Sequence, residues 1–138
     1  MPTNTFLGGP AVLTIGGTDF SSQCSAFNAD LGFDLLEKTS FDDSGHLFAP
    51  GLQTVSGSAT LYASYGASQV EAVLNSIVAA GSTTIVFKKA DAAIAVDNPE
   101  VTISNTTVSV VPYAYAYGEL QIFEISFEGG SWNRDITP

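Results

Sequence analysis

Thr54-Val55-Ser56-Gly57-Ser58-Ala59-Thr60-Leu61-Tyr62-Ala63-Ser64-Tyr65 alternates without a break. Val55, Gly57, Ala59, Leu61, Ala63 and Tyr65 fall on one face, and Thr54, Ser56, Ser58, Thr60, Tyr62 and Ser64 on the other. That is the period of two of a half-buried strand. One face is nearly all hydroxyl and the other mostly small, so the segment predicts a strand that is solvated in front and closely packed behind.

The element packed behind it follows directly. Ser68 with Glu71 three residues on reads as a capping box, Val70, Val73, Leu74 and Ile77 keep helical spacing, and Gly81 is placed to end the run. A helix is predicted over about 68–80. Further out, Leu120 to Glu128 sets Phe123, Ile125 and Phe127 against Glu124, Ser126 and Glu128, and Gly129-Gly130 ends it. Glu100 to Val111 is rich in β-branched residues, with Asn105 marking a bulge or bend. Ala11 to Ile15 closing in Gly16-Gly17-Thr18-Asp19, Ser22 to Asn28, Asp30 to Thr39 and Thr83 to Lys89 read as further extended runs.

Two stretches have no period. Phe41 to Gly51 mixes turn formers with two aromatics and predicts a long loop or irregular hairpin at about 40–51. Residues 131–138 read as an extended C-terminal tail that orders only against something else. Strands, one helix, then strands give an α+β, mainly β chain: an antiparallel β-sandwich or barrel with one flanking helix, in a single domain 1–138.

The 138 residues are 45% hydrophobic and only 13% charged, a surface too poor in charge for an ordinary monomer and suited to meeting other protein. Four Lys+Arg against fourteen Asp+Glu give a formal charge of −10, which disfavours tight phosphate binding and repels nucleic acid. Cys24 is the only cysteine, so no intrachain disulfide forms, and a buried structural thiol is expected. Neither a leader pattern nor an apolar run of about 20 residues is visible, which predicts synthesis in the cytoplasm and no membrane contact.

Chemistry finds little footing. His46 is the only histidine, with only Asp42 and Asp43 near in sequence, and a metal site wants three or four ligands. Asp42-Asp43-Ser44-Gly45 lacks the alternating oxygens and closing Glu of a calcium loop. Glu119, Glu124 and Glu128 lie on an exposed strand face without the burial that splits two carboxylates into acid and base. No catalytic residue, metal or cofactor is expected. Tyr62, Tyr65, Tyr113, Tyr115 and Tyr117 suit subunit contact or sheet packing better than base stacking, which would want cations beside them.

The order of these features resembles the tail tube (major tail) proteins of long-tailed bacteriophages. The resemblance lies in Leu13-Thr14-Ile15-Gly16-Gly17-Thr18-Asp19-Phe20, the Gly51 to Ala63 strand, the helix followed by Val86-Phe87-Lys88-Lys89, and the Glu100 to Ser131 ending with Gly118-Glu119-Leu120. It implies a virion protein whose hexameric rings stack into a tube that conducts genomic double-stranded DNA without binding it specifically. It also implies assembly in the host cytoplasm, with a tape measure protein and tail terminator or baseplate proteins as partners. On that reading Phe41, Asp42, Asp43, His46, Leu47 and Phe48 belong to the inter-ring loop, and Glu124 and Glu128 face the lumen. Other readings remain open: a tail completion, head-tail joining or decoration protein, or a carbohydrate-binding or adhesive β-sandwich. An enzyme is the weakest of them.

Overall fold

A computed structural model describes residues 11–137. The fold is mainly antiparallel β with one helix. In chain order it has β1 (Val12–Ile15), β2 (Thr18–Asp19), β3 (Cys24–Glu37), β4 (Phe48–Tyr62), α1 (Val70–Ala80), β5 (Thr83–Lys88), β6 (Glu100–Val108), β7 (Ile122–Glu128) and β8 (Ser131–Asp135). The strands run β2-β1-β5-β6-β7-β4-β3, with β8 also paired to β6.

β6 makes two layers from this order. Its first half, Glu100 to Ser104, lies between β5 and β8, while Thr107 and Val108 pair with β7. Asn105 bends the strand just before the change of layer, its φ of +58° shifting the β5 register so that Thr106 still pairs with Thr83 while Thr107 opens the pairing with β7. Gly130 crosses this bend so closely that a Cβ there would lie 2.2 Å from the Ser104 carbonyl oxygen, and its φ of +97° also demands glycine.

The two layers bury one core. Leu61, Phe123, Ile125 and Phe127 from one layer face Ile15, Ile85 and Ile103 from the other, each about 1.5–3 kcal/mol of transfer free energy when fully buried. Phe27 of β3 bridges the layers, its ring centroid 4.8 Å from Phe87 and 5.8 Å from Phe127. Gly57 sits where Phe127 presses on β4: a Cβ would meet the ring at 2.5 Å and the Asn28 carbonyl oxygen at 2.2 Å. Val70, Leu74 and Ile77 set the apolar stripe of α1 into the same core.

Three local expectations need correction. The capping box does not form. Ser68 takes a left-handed φ of +65°, and the start of α1 is held from outside, by the Ser64 hydroxyl accepting from Val70 N–H at 3.1 Å and the Ser64 carbonyl accepting from Glu71 N–H at 3.1 Å. The expected loop at 40–51 is shorter, because Phe48, Ala49 and Pro50 pair with Glu37, Leu36 and Leu35 beyond a bulge and extend the β3–β4 hairpin. The expected tail orders against the chain itself: Ser131 to Asp135 pair with Ser104 to Glu100.

Candidate assembly surfaces

Cross-strand partners in an antiparallel ladder share a face. The register therefore lines up the outward side chains of β3, β4 and β7 in transverse rows: Asp30, Ser56 and Glu128 in one, Asn28, Ser58 and Ser126 in the next, then Ala26, Thr60 and Glu124. Glu124 and Glu128 are both exposed, as their alternation with buried Phe123, Ile125 and Phe127 requires. None of these three strands contains Lys or Arg, so the face is acidic and hydroxyl-rich with no cation among its residues. It ends on β3, whose 14 residues pair only with β4. Its other edge presents backbone groups that can take another strand.

Beyond the core the β3–β4 hairpin projects as an arm. Phe33, Leu35, Leu36, Leu47, Phe48 and Leu52 are exposed along it, and Phe41 is fully exposed at the tip. Buried apolar packing cannot hold such a tip, and polar side chains do so instead. Asp43 Oδ2 accepts from the Ser40 N–H at 2.7 Å, Thr39 Oγ1 accepts from the Leu47 N–H at 2.9 Å, and Thr39 Oγ1 donates to Glu37 Oε2 at 2.9 Å. His46 Nδ1 lies 2.5 Å from that same Glu37 oxygen, and this contact, with the Thr39 hydroxyl second, holds the Glu37 carboxyl below its ordinary value. Of the six loop candidates, Phe41, Asp42, Asp43, His46 and Leu47 sit in the connection, while Phe48 opens β4.

At its base the arm is tied to β8. The Gln53 side chain donates to the Trp132 carbonyl at 3.0 Å and accepts from the Trp132 N–H at 3.1 Å, so one amide imitates a strand pair. The Trp132 indole donates to the Gly32 carbonyl at 3.3 Å, and Phe33 lies against its ring.

The far end of β4 carries a second exposed group. Tyr62 pairs with Ile122, and Tyr65 and Tyr113 set their edges on buried Phe123 at 6.3 and 5.7 Å. The Tyr113 hydroxyl donates to Glu71 Oε1 at 2.8 Å and accepts from Asn75 Nδ2 at 2.8 Å. A hydrogen bond with Tyr115 is the main cause that pushes the Tyr65 phenol above its ordinary value. Tyr115, Tyr117 and Leu120 complete the group on the surface. The sequence flagged these tyrosines; it did not show the Gln53–Trp132 tie, which joins residues far apart in the chain.

Among the described residues no three His, Cys, Asp or Glu side chains cluster as metal ligands would. Cys24 is half-buried, not fully buried, with its thiol pushed up by burial. No helix among the described residues is long and apolar enough to cross a membrane.

No family model and no curated protein matches the sequence significantly. Solved structures do match the fold. A chain of the anti-feeding prophage cap, the tube terminating cap, superposes with a TM-score of 0.69 at 11% identity over 99% of this chain and 95% of its own. A chain of the native gene transfer agent virion gives 0.71 at 11% identity over 95% and 99%. A chain of the sheath/tube terminator of an extracellular contractile injection system gives 0.68 at 10% identity over 96% and 98%. The fold is thus one found in phage-tail-like particles.

Proposed function

We propose that this chain is a structural virion protein with no catalytic role, a single tail-tube-like domain whose hexameric rings stack into a tail tube that conducts DNA. The observation that carries the reading is the acidic, cation-free face of β3, β4 and β7 ending on an unpaired 14-residue edge. Rings closed through such edges remove them from solvent, and an acidic wall repels a polyanion at short range. On this reading Glu124 and Glu128, joined by Asp30, face the lumen, and the arm with Phe41, Asp42, Asp43 and His46 reaches the next ring. The protein would reside in the tail after assembly in the host cytoplasm, with tape measure and terminator or baseplate proteins beside it.

A second reading, a ring that ends a tube instead of building it, draws on the likeness to chains of cap and terminator assemblies at TM-scores of 0.69 and 0.68, beside a gene transfer agent virion at 0.71 and a sheath-tube complex at 0.63. Negative-stain electron microscopy of the purified protein at rising concentration, beside size-exclusion chromatography, separates them. Stacked hollow tubes support the tube, isolated rings support the terminator, and a glycan-binding monomer at every concentration would sink both.

A further inference from the structure

A cleft of about 780 Å³ opens at the edge of the core, between the start of β3 on one side and β1 with the end of β5 on the other. Leu13, Phe27, Phe87 and Val101 line it with apolar surface that continues the core, and Asp19 and Lys88 stand in its wall. Protein interiors leave few gaps larger than a water molecule. A cleft of this size beside the ring of Phe27, which ties the two layers together, calls for an apolar occupant. The chain itself leads there: Ala11, the first described residue, is part of the lining, followed by Val12 and Leu13.

We infer that the occupant is the segment just before Ala11 in the same chain, with Phe6 and Leu7 set against Phe27 and Phe87. Residues 1–10 lie outside the described residues, and their sequence supplies what the cleft lacks. Phe6 and Leu7 are adjacent large apolar side chains, and the ten residues contain no Asp, Glu, Lys or Arg to be stripped of water on entry. Gly8-Gly9-Pro10 joins them to Ala11, and glycines accept the backbone angles that a reversal into the cleft requires. A limit of about 3.6 Å per residue keeps Phe6 within roughly 18 Å of Ala11, which itself lines the cleft. So short a connection also decides which copy supplies the segment. It holds Phe6 at an effective concentration on the order of 1 mM, above that of any second copy in dilute solution. The plug is therefore intramolecular, in a monomer and in a ring alike.

Cys24 lines the same cleft and is the only cysteine, so its thiol reports the occupant without added labels. In the dilute wild-type protein it should react slowly with an aromatic disulfide reagent. Phe6→Ser together with Leu7→Ser should speed that reaction by about tenfold or more, with circular dichroism confirming the fold. In a second variant, Leu7→Cys, oxidation by diamide should close a disulfide to Cys24 within one chain, seen as a monomer on a non-reducing gel with neither thiol left to titrate. Equal Cys24 reactivity with and without Phe6 and Leu7, or two free thiols in oxidised Leu7→Cys, would overturn the plug. Disulfide-linked dimers of Leu7→Cys in place of closed monomers would overturn its intramolecular form and assign the cleft to a second copy.

Discussion

Gln53 holds the backbone of Trp132 at both of its polar groups, donating at 3.0 Å and accepting at 3.1 Å across 79 positions of sequence. The side chain thereby joins β8 to the base of the arm where no ladder does. Gln53→Ala leaves both half-buried groups unpaired, and a loss of about 2 kcal/mol is expected. Trp132 is the only tryptophan, so its emission reports the site: denaturant unfolding should shift to lower midpoint and the folded emission should move to the red. An unchanged spectrum and midpoint would show that the tie contributes nothing.

Gly57 predicts a steric cost in the middle of the best-formed strand. A Cβ there would meet the Asn28 carbonyl oxygen at 2.2 Å and the Phe127 ring at 2.5 Å, and the backbone oxygen cannot rotate away. Gly57→Ala should destabilise by about 3 kcal/mol, read as a lowered Tm in calorimetry. A loss under about 0.5 kcal/mol would mean that β3 and β4 part easily at this register.

The arm tip should loosen in acid. Glu37 is held below its ordinary 4.5 by His46 and then Thr39, so its contribution is present above that value and is lost as pH falls through the lower folded value. His46→Ala should move the Glu37 titration, followed by carboxyl carbon NMR, back up towards 4.5. The same variant should leave global stability unchanged, because the pair is exposed. An unmoved titration would remove His46 as the cause.

Cations placed on the acidic face should make it hold DNA. Glu124→Lys with Glu128→Lys changes two exposed positions and should cost no more than about 1 kcal/mol of stability in all, since exposed changes of this kind cost little. The assembled variant should retain DNA at low salt and release it as salt rises, whereas the wild-type assembly retains none. Equal retention by both would separate this face from any DNA path.

Much of the fold was legible where one chain segment alone decides the pattern. Phe123, Ile125 and Phe127 are buried in alternation, Leu74 and Ile77 keep helical spacing, and Asn105 bends β6 where its sequence breaks. The start of β4 was not legible, since Phe48 to Pro50 are held by Glu37 to Leu35 and the large apolar residues there, Phe48 and Leu52, fall on the exposed side with small Ala49 and Gly51 on the inner one, so no buried apolar period marks the strand. β8 was hidden for the same kind of reason: Trp132 gains its order from Gln53, Ile103 and Gly32, none of them near it in sequence. Within the acidic face, the exposure of Glu124 and Glu128 follows from sequence. The placing of Asp30 in the same row as Glu128 depends on how β3 meets β4, and only pairing reveals it.

The bend at Asn105 also governs how the molecule comes apart. Because the same strand pairs with β5 and β8 over Glu100 to Thr106 and with β7 at Thr107 and Val108, neither layer can melt while the other keeps its full ladder. Partial opening is left to the arm and the end loops, and the core unfolds as one cooperative unit, so a chain pulled or pushed along its strands keeps its shape until it fails outright.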